Sequence, residues 1–387
     1  MSIALGAGLT VISASSAAAS PASWACAYVA ERLPRALAVY GDDAVPAGET
    51  RAARKRLSLP ETILTRASAL ALAKALGGSR LVMVRCEDDR DQTAIEARSF
   101  EVDRPAAGEV VRAARPRAEI AAAIDEIAGR LASPNTRDGG TAFRAPSALA
   151  LARAGPALAA GSAGERARGL TEALRFDPAS IDLRLSAVEA LMAARDFDSA
   201  IRLAATVPGS DTPGVLARAL RFEAGAAQLE AGRYAEASDT FGSLLQVRET
   251  AAVLNNLGVA RFRLRDPAAS ALFGRAGSLR DQRQNDISFN RALALLFEGG
   301  AEKALPELDR SIEATPRDAQ TRLLKVWALR LLKRETERGE EWERLMAQAP
   351  SFASLGNPDL ARRLERIFFS ERVPWDHAPG LPPRSAW

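Results

Sequence analysis

The sequence predicts an α/β amino-terminal domain followed by an all-α solenoid of helical hairpins, predominantly helical overall. Three observations carry that prediction. A spacing of small and large apolar residues returns about every 34 residues between 147 and 350. Residues 80–88, 93–103 and 109–116 have strand character, and the second of these alternates polar with apolar. Ala, Leu and Arg dominate a chain of 387 residues that is 47% hydrophobic but only 5% aromatic, a composition that favours helix.

The amino-terminal elements read in order. "GLTVISAS" supplies a first strand, with residues 9–14 at its centre. A secretory leader is the alternative, because "IALGAGLTVI" and "SASSAAASPASWACA" imitate an apolar stretch and a cleavage site. That reading lacks the basic residues that should come first. Helical spacing follows at 23–41 and 62–79, then the strands, then a third helix over 117–132. The domain so defined spans 1–132, and "SPNTRDGGTAFRAP" (133–146) is a polar linker containing Gly and Pro.

The repeats come next, over 147–350, as about six hairpins. Gly225 is followed by Ala237 and Phe241; Ala292 by Ala304, Leu308 and Pro316; Val188 by Ala200 and Ala204. Gly258 with Ser270 and Phe273 fits if the turn before Pro267 is one residue shorter. Weaker copies flank these: Ala154 with Leu170 and Pro178, and Val326 with Trp342 and Pro350. Successive frames are displaced by 34, 37, 33, 34 and 34 residues. Two antiparallel helices approach most nearly where both carry small side chains. Gly232 and Gly299-Gly300 supply the permissive backbone between helices, and the prolines end the second helix. One hairpin cannot bury its apolar face alone, so several must stack. Residues 357–369 predict a last helix within a capping segment, 351–370, and 371–387 is a Pro-rich tail.

This pattern resembles the tetratricopeptide repeat. "FNRALALLFEGGAEKALPELDRSIEATP" (289–316) and "FEAGAAQLEAGRYAEASDTF" (222–241) are the best copies, and "VLNNLGVARF" (253–262) has the Asn-Leu-Gly element of a first helix. The last copy departs most, with Arg338 where a small residue belongs. The stretch "GETRAARKRLSLPETILTRASALALAKALGGSRLVMVR" (48–85), with its strand and helix order, is similar to the TolB amino-terminal-like domain. The resemblance implies a bacterial protein with partner-binding repeats.

Composition excludes several chemistries. The net charge of +4 is spread evenly: residues 1–145 hold 19 basic and 17 acidic residues, and the remainder 33 and 31. A nucleic-acid surface needs clustered charge, and the densest basic run, Arg51 to Arg56, reads as a solvated helix face. Two cysteines, Cys26 and Cys86, exclude a disulfide-rich scaffold; they read as buried free thiols, with a bridge left open for an oxidising compartment. No apolar run reaches the ~18 residues of a membrane span. The single histidine, His377, lies in the Pro-rich tail, so no His-based nucleophilic machinery is expected. "GAGLT" (6–10) is a weak phosphate-loop signal, and "CEDDRD" (86–91) reads as a hairpin turn with solvated carboxylates.

The expected function is a non-catalytic scaffold for protein–protein interaction, without cofactor or metal. A small-ligand sensor or enzyme in the α/β domain, regulated by the repeats, is the alternative. The resemblance implies a groove made by the first helices, with the sixth residue of each helix pointing into it. Asn256 and Asn290 hold that position, and an amide ladder could pair with the backbone of an extended peptide. Arg263 and Arg330 fall near the same face and could hold a carboxylate. The cell envelope and the cytoplasm are both open as locations.

Overall fold

The computed structural model describes residues 10–16, 24–42, 44–45, 64–76, 78–88, 92–103, 108–132, 144–208, 212–279, 284–314 and 318–350, with a few single positions between them. The expected capping helix at 357–369, the tail with His377, most of the 133–146 linker and residues 6–9 lie outside the described residues.

Four strands form one sheet in the order β1 (Thr10–Ser16), β2 (Arg80–Asp88), β3 (Gln92–Glu101), β4 (Val110–Pro116). β1 runs parallel to β2, from Thr10 opposite Arg80 to Ser16 opposite Cys86. The other two pairings are antiparallel. "TVISASS" is therefore a strand. Helix α1 (Trp24–Val39) follows β1, and α2 (Arg66–Ala75) precedes β2, capped by Thr65 accepting from the Ser68 amide. Helix α3 (Ile120–Leu131) follows β4. The period of two sorts the sheet residues. Val82, Val84, Cys86, Ile95, Ala97 and Val111 share a core with α1 and α3. Leu81, Phe100 and Val102 face the other way, against Leu72 and Ala73 of α2.

Twelve further helices follow among the described residues, as six hairpins: α4 (Ala148–Leu158) with α5 (Ala163–Ala173), α6 (Ile181–Ala193) with α7 (Phe197–Ala204), α8 (Gly214–Glu230) with α9 (Tyr234–Val247), α10 (Ala251–Arg263) with α11 (Ala269–Ser278), α12 (Gln284–Phe297) with α13 (Ala301–Ala314), and α14 (Ala319–Leu331) with α15 (Glu335–Gln348). Ser147, Ser180, Thr250 and Asp318 cap first helices by accepting a backbone amide. In five of the six hairpins the turn between the paired helices holds a left-handed residue: Arg195, Gly232, Arg265, Gly299 and Lys333 have φ between 58° and 79°. Only two of the five are the glycines that such a turn prefers.

The small-against-large frame is visible in the packing. Ala237, Phe241, Ala292, Ala304 and Leu308 are fully buried. Two frames need correction. Ala269, not Ser270, is the buried small residue of its hairpin; Ser270 instead bonds Glu298 at 2.6 Å. In the last hairpin Glu341 and Leu345 take the buried positions, and Trp342 is only half-buried.

The two cysteines are bonded to each other, which replaces the free-thiol reading. Sixty residues separate them, and nothing in sequence brings them together. The strand order does: α1 lies over β2, placing the two Cα atoms 5.5 Å apart.

The chain divides into two compact units, Met1–Ala227 and Gln228–Trp387. This division falls inside α8, not at the 133–146 linker. In the first unit one continuous core runs from Ala25 in α1 through α3 to the hairpin helices as far as Ala227. The α/β region and the first hairpins are therefore one body.

Candidate functional site

In the second unit, the first helices α10, α12 and α14 stand side by side, each flanked by its second helix. The four residues expected to line a groove sit on these helices. Asn256 and Asn290 are buried, at 3% and 1% exposure. Their amides are used within the chain. Asn290 Nδ2 donates to Asn255 Oδ1 at 2.8 Å, and Asn255 Nδ2 donates to Asn256 Oδ1 at 3.3 Å. The amides thus tie α10 to α12. Asn290 Oδ1 is buried without a hydrogen-bond partner among the described residues.

Arg263 is buried too, with its guanidinium 5.6 Å from the Tyr234 ring centre. Burial lowers its pKa, and Tyr234 and Glu230 oppose that shift. Arg330 is half-buried in the last turn of α14. The structure therefore joins Asn256 to Asn290, but it gives Arg263 and Arg330 separate settings.

Three aromatic residues lie between them; the helical frame of Trp327 predicts a core residue, and it is buried. Phe262, Phe297 and Trp327 form a run across α10, α12 and α14. Ring centres are 5.6 Å apart for Phe262 and Phe297, and 5.2 Å for Phe297 and Trp327, both edge to face. Phe262 and Trp327 are buried and Phe297 is half-buried. Beyond the run, at the carboxyl ends of α14 and α10, Leu331 and Leu264 are each 47% exposed. Arg263, Phe297 and Leu331 are spaced by 34 residues, so they are one repeat position filled three ways. That period was the available signal, but an isolated Phe in a helix reads as core.

The first unit holds a different cluster, at the junction of α1, α3 and α6. Asp182 accepts from Tyr28 Oη at 2.9 Å and also from Arg32 Nη1. Arg32 spans Asp125 with Nε and Nη2, the latter 2.9 Å from Oδ2. Arg35 Nη1 donates to the Asp182 carbonyl and to Ser186 Oγ, both at 2.9 Å, and Arg35 Nη2 donates to Glu189 at 2.9 Å. Arg166 of α5 pairs with Glu31. Arg32 and Asp182 are fully buried. Burial pulls both arginine pKa values down, and the facing carboxylates more than reverse this, so both end raised. Burial raises the Tyr28 pKa, and the Asp182 carboxylate raises it further. The Asp125 carboxyl is also raised by burial, against the pull of Arg32. Every charge meets an opposite charge, as buried ions require.

Asp88, within the expected solvated turn, accepts from Thr93 and Arg117. Among the described residues no His, Cys, Asp and Glu group is arranged to hold a metal ion. Among the same residues no helix is long and apolar enough to cross a membrane.

The fold defines a protein of stacked helical hairpins joined to an α/β unit. No protein-family model matches the chain, and no curated protein matches it. Solved structures similar to it include YrrB, described as a TPR protein with an unusual peptide-binding site: 19% identity, 48% of this chain, 94% of that chain, TM-score 0.38. MamA is similar at 17% identity over 46% of this chain and 96% of that one, with TM-score 0.39. The Cut9–Hcn1 hetero-tetramer of the APC/C is similar at 15% identity over 56% of this chain and 42% of that chain, with TM-score 0.43.

Proposed function

We propose that the chain is a non-catalytic interaction scaffold of tetratricopeptide type, holding an extended segment of a partner protein along α10, α12 and α14. The observation that carries this reading is the aromatic run ending in exposed Leu331 beside half-buried Arg330. Apolar surface next to an arginine suits a segment with an apolar side chain and an acidic group. Asn256 and Asn290 then act mainly by fixing α10 against α12, since their amides already bond within the chain. This revises the expected role of an open amide ladder.

The test begins with a partner captured by the full chain and identified. Binding of that partner is then measured for the parent, Leu331→Asp and Arg330→Ala. Each change should weaken binding by about 1–3 kcal/mol with the melting temperature held, since both side chains reach solvent. Unchanged affinity in both would remove this surface from the binding site.

A further inference from the structure

The ionic cluster in the first unit acquires a meaning from the repeat frame. Ser186 stands two residues before Val188, as Asn256 stands two before Gly258 and Asn290 two before Ala292. These are one repeat position. It is buried in all three helices: Asn290 bonds α10 through Asn255, and Ser186 bonds α1 through Arg35. Glu189 follows Val188 by one, as Val259 follows Gly258 and Leu293 follows Ala292. On α6, Asp182, Ser186 and Glu189 lie four and three residues apart, so they share one helix face. That face does not await a partner. Arg35 of α1 reaches all three, at 3.4 Å to the Asp182 carboxylate and 2.9 Å to Ser186 and Glu189. Arg32, one turn earlier in α1, adds its pair with Asp182. On the neighbouring first helix, Gly155 of α4 leaves room for α1 as well: a Cβ there would sit 2.8 Å from the Trp24 indole.

We propose that the Asp182–Ser186–Glu189 face of α6, with the small Gly155 of α4 beside it, is a helix-binding site filled in cis, with α1 as its resident ligand. The arginine pair of α1, one turn apart, is what the Asp182–Ser186–Glu189 face reads. While α1 is seated, this face is closed to other partners, and binding in trans falls to the later hairpins. The proposal rests on the scaffold reading only in taking the first helices as the binding face. The α/β region is then neither an independent domain nor a free sensor. It is a docked occupant, held by charge as well as by the shared core.

A protease site placed within residues 135–142 of the full chain tests this. Both cysteines stay in the amino-terminal half, so no covalent bond joins the halves after cleavage. The halves of the otherwise unaltered protein should elute together. Glu189→Arg sets a guanidinium against Arg35 at the rim of the cluster, where Glu189 is 15% exposed. It should weaken the association of the halves at least tenfold, with Glu189→Gln between the two. Melting of each uncut variant checks that its hairpins remain folded. Leu331→Asp should leave the halves together. The readout needs no partner, so it can fail while the reading of the later hairpins stands. Halves that separate without any variant, or that stay together in Glu189→Arg, would overturn the proposal.

Discussion

Gly258 has no room for a side chain. A Cβ built there would lie 2.7 Å from Phe273 Cε1, and Phe273 is 1% exposed. Two effects compete in Gly258→Ala. Alanine gains about 1 kcal/mol of helix propensity over glycine. Forcing the Phe273 ring aside in a packed core costs about 1–3 kcal/mol. The overpacking wins, so the variant should be less stable by about 1 kcal/mol. Urea unfolding checks it; a rise in midpoint would show that the ring can yield. The same logic explains why the small residues of the frame were readable. A close approach between helices excludes large side chains whatever the neighbours are. A buried amide is less readable. Asn256 and Asn290 look alike in the sequence whether they face a ligand or Asn255.

Within the last hairpin, a polar network replaces the small-against-small contact. Glu341 is 1% exposed and accepts from Arg322 and Arg344, with Lys325 at 3.5 Å. Burial alone would raise its pKa; the hydrogen bond from Arg322 and the charge of Lys325 bring it below the ordinary value. A carboxylate lowered in the folded state adds stability above its unfolded pKa, and that stability is lost as pH falls toward the folded value. Glu341→Gln should therefore cost about 2 kcal/mol at neutral pH. The gap between parent and variant should begin to narrow below about pH 4, where the unfolded carboxyl is protonated, and close as pH falls through the lower folded pKa. Paired melting curves at neutral and acid pH measure this, and a gap independent of pH would assign the loss to shape instead of charge.

The first unit carries one covalent link, which joins its helical layer to its sheet. The Cys26–Cys86 bond closes a span of 60 residues, from the helix that carries the arginine pair to a central strand. By loop entropy such a bond contributes about 4 kcal/mol. It forms where the surroundings are oxidising. The double change Cys26→Ser and Cys86→Ser should lower the melting temperature of the first unit and leave the second unit unaffected. Calorimetry of the full chain resolves the two if they melt separately. Mass spectrometry after alkylation without reductant should find both cysteines unalkylated and linked to each other in protein from its native host. Alkylated cysteines there would mean that the bond does not form.

By itself the sequence determined the hairpins, their spacing, and the strand and helix order of the amino-terminal region. Periods of 3.6, 2 and about 34 residues are local or repeating constraints, and side-chain size and polarity record them directly. The tertiary structure decided what those constraints leave open. It paired Cys26 with Cys86, extended one core from α1 to Ala227, and turned Arg32 and Arg35 onto the face of α6. In sequence, Glu31, Arg32 and Arg35 are three charges in an apolar helix, 147 to 154 positions from most of the carboxylates and carbonyls they or their neighbours meet. No period links residues that far apart. Only the packing of one element on another does, because a buried charge is tolerated solely where the fold delivers its partner.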